Sequence, residues 1–138
     1  MRRAFADTFY WIALFSPTDA WHERVLTFSQ SVGPCRFYTT EEVLSEFLTY
    51  CSAAGPYTRQ QAAALVRSLF DDPHVTIIRQ RHASFLRALS LYEARLDKQY
   101  SLTDCSSMEN MRKQRLSEVL TNDRHFSQEG FQILFHES

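Results

Sequence analysis

The sequence predicts an α/β fold, a three-layer α/β/α sandwich built around a mostly parallel central sheet of about five strands. Short apolar runs, several of them β-branched, alternate with longer segments whose apolar residues recur at helical spacing. Parallel neighbours in a sheet require a crossover of that kind between them. The chain has 138 residues, 44% of them hydrophobic and 14% aromatic, which suits one domain, 1–138, with a substantial core. It has three glycines and four prolines, and no stretch reads as a long linker, an internal repeat or a low-complexity tract.

The first strand is expected over Ala4 to Ala6, an apolar run ending at Asp7, with a turn or two of helix from Thr8 to Phe15. Pro17, Thr18 and Asp19 break that helix, and Ala20, Val25, Leu26 and Phe28 predict a second one that ends near Gly33 and Pro34. Phe37 to Thr39 reads as a second strand. A strong helix follows from Thr40, with Val43, Leu44, Phe47, Leu48 and Cys51 on one face, and Gly55 and Pro56 stop it. Arg59 to Phe70 predicts another helix, ended by Asp71, Asp72 and Pro73. Val75 to Ile78 is the clearest strand, short and β-branched. A long helix from Phe85 to Leu96 and another from about Cys105 to Gln114 precede a fourth strand, Val119 to Thr121, which runs into Asn122 and Asp123. Gln132 to Phe135 reads as the fifth strand.

The formal net charge of -1 excludes bulk attraction to nucleic acid. Any such binding must come from local cations among Arg79, Arg81, Arg87, Arg112, Lys113, Arg115 and Arg124, of which two or three are expected to meet phosphate. Cys35, Cys51 and Cys105 form no C-x-x-C pair and read as reduced thiols in a cytoplasmic protein. The opening MRRAFADTFYWIALF reaches Asp7 before a long apolar region develops, so no signal peptide is expected, and no apolar run approaches membrane-spanning length.

Four acids, Asp7, Glu46, Asp104 and Asp123, fall where a doubly wound chain would bring them to one sheet edge. In open sheets of this type ligands bind at the carboxyl ends of the strands, where the strand order reverses. If the first and fourth strands are neighbours there, Asp7 and Asp123 face one another. Converging carboxylates repel and raise each other's pKa, so such a group implies shared protons or a bound divalent cation. We read these four residues as the catalytic and metal-binding set, an oxygen-rich cage suited to Mg²⁺ or Mn²⁺. No Ser-His-Asp or Cys-His arrangement and no glycine-rich phosphate loop is visible.

The segments FADTFYW, TTEEVLSEF, YSLTDCSSMENM and VLTNDRHFSQEGFQIL resemble, in order and spacing, the acidic motifs of PIN-domain nucleases of the VapC-like toxin group. The resemblance spans Phe5 to Leu134 and places Asp7, Glu46, Asp104 and Asp123 on the four acidic positions, with Thr8 and Thr121 on accompanying hydroxyl positions and Asn122 as an added polar contact. It implies a Mg²⁺- or Mn²⁺-dependent endoribonuclease, cleavage of RNA, a homodimer and a cognate antitoxin.

Each acid also has a structural reading. Asp7 and Asp104 suit helix caps and Asp123 a turn before Phe126. Thr39 and Glu42 match a capping box, and Glu41 lies in the first helical turn, which leaves Glu46 as the metal candidate of the three. His125, two residues after Asp123, reads first as a packing or surface residue, with contact to substrate or water as the alternative, Phe126 as a core anchor and Cys105 as a buried small side chain. Phe9, Tyr10, Trp11 and Phe15 read as core or dimer surface, with Trp11, Phe15 and Trp21 expected at the dimer contact and Tyr10 or Trp11 as an alternative base-stacking surface. Competing functions are a non-catalytic PIN-like binding module, a housekeeping RNA-processing nuclease, and a phosphohydrolase with Asp7 as nucleophile. The last requires a second aspartate two residues on, where this chain has Phe9.

Overall fold

The computed structural model describes residues 1–137. Five strands form one sheet: β1 (Arg2–Ala6), β2 (Cys35–Thr40), β3 (Val75–Ile78), β4 (Glu118–Leu120) and β5 (Gln132–Ile133). Their order is β3-β2-β1-β4-β5, and every pairing is parallel. Seven helices connect them: α1 (Thr8–Phe15), α2 (His22–Ser31), α3 (Glu41–Cys51), α4 (Pro56–Asp71), α5 (His82–Ala94), α6 (Leu102–Gln114) and α7 (Arg124–Gln128). Right-handed crossovers put α1 to α4 on one face and α5 to α7 on the other. The expected α/β sandwich is therefore what forms.

β1 is the central strand, paired with β2 from Arg2↔Cys35 to Phe5↔Tyr38 and with β4 at Phe5↔Val119 and Ala6↔Leu120. With both faces covered by helices, its inner residues Ala4, Phe5 and Ala6 are all fully buried, as in parallel sheets generally. The chain order reverses between β1 and β4, so the crevice at their carboxyl ends is the switch point. Asp7 directly follows β1 there, and Asp123 lies three residues beyond Leu120 at the end of β4.

Several boundaries differ from the sequence expectation. α3 is capped by Thr40, whose side chain accepts the Val43 N–H at 3.1 Å, so Thr39 and Glu42 do not form the expected capping box. Thr39 instead belongs to β2, where its hydroxyl donates to the Ala6 carbonyl at 2.9 Å and accepts from the Trp11 indole at 3.2 Å. Pro56 opens α4 rather than merely ending α3, because proline's missing N–H and fixed φ suit the first helical position. α6 begins at Leu102, three residues before the expected start, with Ser101 as its cap.

The expected aromatic dimer surface is also corrected. Trp11 is 3% exposed and Tyr10 2%, and both belong to the core, so neither is an exposed base-stacking surface. Phe9 meets Trp21 edge-on with centroids 5.4 Å apart, and Phe15 meets Phe47 at 5.5 Å. These rings are used to seat α1 against its neighbours, a geometry that aromatic quadrupoles favour. The large apolar side chains left exposed lie elsewhere, among them Leu86 and Tyr92 on α5 and Tyr57 and Phe70 on α4. Cys35, Cys51 and Cys105 are buried and free, as expected of reduced thiols, and burial pushes the Cys105 thiol up to about 11. Among the described residues no helix is long and apolar enough to cross a membrane.

Candidate metal centre

Asp7 occupies the N-cap position of α1 but makes no capping hydrogen bond to that helix. Its Oδ2 instead accepts the Thr121 hydroxyl at 2.9 Å, from the loop beyond β4. The Thr121 oxygen also accepts the Asp123 backbone N–H at 3.2 Å, so one side chain ties the first acid to the loop carrying the last. Glu46 reaches the same region from the second turn of α3, where its Oε1 accepts the Thr8 hydroxyl at 2.5 Å.

Asp104 comes from the first turn of α6 in a reciprocal arrangement with Ser101. The Ser101 hydroxyl accepts the Asp104 N–H at 3.0 Å, and Asp104 Oδ2 accepts the Ser101 N–H at 3.1 Å. The capping reading of Asp104 therefore holds, from the third helical position and not from the cap itself. Asp123 does cap α7, with Oδ1 accepting the His125 N–H at 2.9 Å. That short helix turns His125 back, so that its Nδ1 lies 3.3 Å from Asp104 Oδ2 and 3.4 Å from Asp123 Oδ1.

The electrostatics couple Asp7 and Asp104 to their acidic neighbours. Burial, then the Asp104 and Glu46 charges, push the Asp7 carboxyl up to about 7 against the opposing pull of the Thr8 amide and the Thr121 hydroxyl. Asp104 is also raised, by burial and by Asp123, while the Ser101 amide and His125 draw it down. Asp104, Asp123 and His125 present ligand atoms within 4.8 Å of one another, a spacing one cation can bridge. Asp7 and Glu46 fall outside that tightest group, and Asp7 feels the charge of Asp104. Hard carboxylate oxygens, one of them in a buried and proton-hungry carboxyl, fit a hard divalent ion.

Among the described residues the structure thus groups Asp104 and Asp123 with His125, ties Asp7 through Thr121 to the loop that carries Asp123, and holds Glu46 on the Thr8 hydroxyl next to Asp7. Asn122 is half-buried and enters none of these bonds. His125, which the sequence offered as a substrate or water contact only second to a packing role, is the residue left out of the expected site, and its place two residues after Asp123 was the available signal.

Behind His125 lies a second polar group. The Tyr100 ring packs 5.2 Å from the His125 ring, and its hydroxyl donates to Glu129 at 2.9 Å. Glu129 also accepts from Arg95 at 2.8 Å and from Arg112 at 2.6 Å, and its side chain is 5% exposed. Arg95 foremost, with Arg112 and Tyr100 and against the effect of burial, holds the Glu129 carboxyl down at about 2. This bracing ties α5 and α6 to the end of α7, whose other end carries Asp123.

Among solved structures the chain is similar to VapC20 of Mycobacterium tuberculosis, a sarcin-ricin loop cleaving toxin, with a TM-score of 0.82 and 26% identity over 93% of this chain and 95% of that one. The chain has the fold of VapC-like PIN domains. The PIN fold is also shared with VapBC2 of Rickettsia felis bound to a DNA fragment from their promoter, at a TM-score of 0.65 and 10% identity over 96% of this chain and 97% of that one. FitAcB of Neisseria gonorrhoeae gives a TM-score of 0.64 at 16% identity, covering 96% of each chain. No family model matches the PIN domain described here, and no curated protein does. The likeness is therefore carried by the fold.

Proposed function

We propose that this chain is a divalent-metal-dependent endoribonuclease and the toxin of a type II toxin-antitoxin pair. The observation that carries the reading is the grouping of Asp104, Asp123 and His125 within 4.8 Å beside buried Asp7, whose carboxyl is pushed up to about 7 by burial and by the Asp104 and Glu46 charges. A structural role for Asp7 is disfavoured because it makes no capping hydrogen bond at the helix it precedes. Likeness to a toxin that cleaves the sarcin-ricin loop supports RNA as the substrate.

In this reading Asp7, Asp104, Asp123 and Glu46 hold Mg²⁺ or Mn²⁺, and His125 orients Asp104 and Asp123. The ion supplies Lewis acidity at the scissile phosphodiester and favours hydroxide over water as nucleophile. Thr8 and Thr121 fix the carboxylates of Glu46 and Asp7 in the attitude needed to share a cation. Buried Asp7 forms the floor, while Asp123, with a side chain 36% exposed, stands at the open side where a phosphate enters. An antitoxin and a second copy of the chain complete the proposal. The exposed Leu86 and Tyr92 of α5 supply apolar surface for such contacts.

Incubating the protein with a structured RNA, with and without Mg²⁺ or Mn²⁺, tests the reading. Cleavage at discrete sites is expected only with metal, and only without the Asp104→Asn substitution. Cleavage at equal rates in chelator, or by the variant, would overturn it.

A further inference from the structure

Next to the acid site the structure holds a pocket for which phosphodiester cleavage as such has no use. Its cavity of about 360 Å³ is walled by Glu42, Ser45, Glu46, Thr49, Gln80 and Thr103. A smaller recess of about 80 Å³ shares Glu42, Gln80 and Thr103 with it and adds the edge of Phe85.

The Glu42 carboxylate at the junction is held in place but only half satisfied. Its Oε2 accepts the Ser106 hydroxyl, and Ser106 is braced in turn by Asn110, whose Nδ2 donates to the Ser106 carbonyl at 2.8 Å. Its Oε1 is closed off from solvent and meets no donor. A buried acceptor without a donor is rare in folded proteins and calls for a partner. The neighbouring Glu41 cannot provide one, since it is itself an acceptor, taken up by the Gln80 backbone N–H at 2.6 Å. That bond fastens the Gln80 backbone to the first turn of α3, and the exposed Gln80 lines both the pocket and the recess.

We propose that this pocket is a nucleobase subsite and that Glu42 selects guanine in it. The inference rests on the ribonuclease reading above and names the base that such an enzyme would prefer beside its cut. The walls carry carboxylates, hydroxyls and an amide but neither arginine nor lysine, which disfavours a phosphate and favours an uncharged, donor-rich ring. Guanine is the base whose Watson–Crick edge offers two adjacent donors, N1–H and N2–H, to a carboxylate. Oε1, closed off from solvent in the free protein, accepts one of them once the entering base opens the recess, and Oε2 keeps a lone pair for the other beside the Ser106 bond. Phe85, 38% exposed, offers a ring edge or face to the base. Arg79 and Arg81, both exposed, flank Gln80 and suit the backbone phosphates on either side. Glu46 belongs both to this wall and to the acid site, so the base read here belongs to a nucleotide adjoining the cleaved bond.

Two measurements decide it. The first titrates the wild-type protein, without metal, with the four nucleoside monophosphates and follows backbone amide shifts. GMP should move Ser45, Gln80 and Thr103 and bind at least tenfold more tightly than AMP, CMP or UMP, and Glu42→Gln should abolish that preference because it turns one acceptor into a donor while its amide oxygen keeps the Ser106 bond. The second maps cuts in a randomised RNA pool, where wild type should show guanine enriched at one position beside the cut and Glu42→Gln should lose the enrichment. Equal binding of the four nucleotides overturns the subsite, as does an unchanged guanine preference in Glu42→Gln. Cleavage with no base bias leaves the nuclease standing without the subsite. Selective GMP binding in a protein that cuts no RNA leaves the subsite standing without the nuclease.

Discussion

Thr121 donates its hydroxyl to Asp7 across 2.9 Å, joining the loop after β4 to the residue that ends β1. Through this bond the two central strands align their acids, since the same Thr121 oxygen receives the Asp123 amide. A hydroxyl, unlike a cation, orients Asp7 without neutralising it. The charge is left for a metal.

Asp7 makes the metal-free protein sensitive to pH in a defined direction. Its folded pKa of about 7 lies above the ordinary 3.8, so the folded chain holds the proton more tightly than the unfolded one. The contribution of Asp7 to stability should be fully present below pH 4 and be lost as pH rises to about 7, by on the order of 2–4 kcal/mol. Thermal melts in chelator across that range should show the slope, and Asp7→Asn should flatten it. Millimolar Mn²⁺ should raise Tm more at pH 8 than at pH 5, because protons compete with the ion for the same carboxyl.

His125→Ala should weaken Mn²⁺ binding by roughly 10-fold or more while leaving the protein folded, since groups that orient metal-binding carboxylates carry effects of that size. Isothermal titration gives the affinity directly. An unchanged Kd would assign His125 to packing alone.

Glu129 should act in the opposite pH window. Its carboxyl is held down at about 2, so its ion pairs stabilise the fold above pH 4.5 and are lost as pH falls toward 2. Glu129→Gln should cost about 1–3 kcal/mol at pH 7 in urea unfolding, because Arg95 and Arg112 lose a common partner. The cost should vanish in melts near pH 2.

The two adjacent threonines of β2 should separate in a stability assay. Thr40→Ala removes the α3 cap and should cost about 1 kcal/mol. Thr39→Ala should cost more, about 1–3 kcal/mol, since it strands the Trp11 indole N–H in the core. If Thr39→Ala proved the milder change, the capping-box assignment to Thr39 would have been the better one.

What the sequence by itself determined are the features written within a few residues of one another. The β-branched Val75–Ile78, the one-faced spacing of Val43, Leu44 and Phe47, and the position of each acid at the close of a strand or in an early helical turn follow from local periodicity and stereochemistry. Strand and helix order then confined Asp7 and Asp123 to one sheet edge once β1 and β4 were neighbours. Only the tertiary structure decided which polar atoms meet. His125 finds Asp104 across 21 residues, Ser106 finds Glu42 across 64 and Thr121 finds Asp7 across 114. The same holds for Thr39, which the local pattern offered as a helix cap and the sheet claimed as the acceptor of the Trp11 indole. Trp11, apolar enough for an interface, was drawn into the core because α1 packs over the sheet, while Trp21 stays partly exposed with its ring edge-on to Phe9. Local propensity differs between such alternatives by about a kilocalorie per mole, and burying or satisfying one side chain outweighs it.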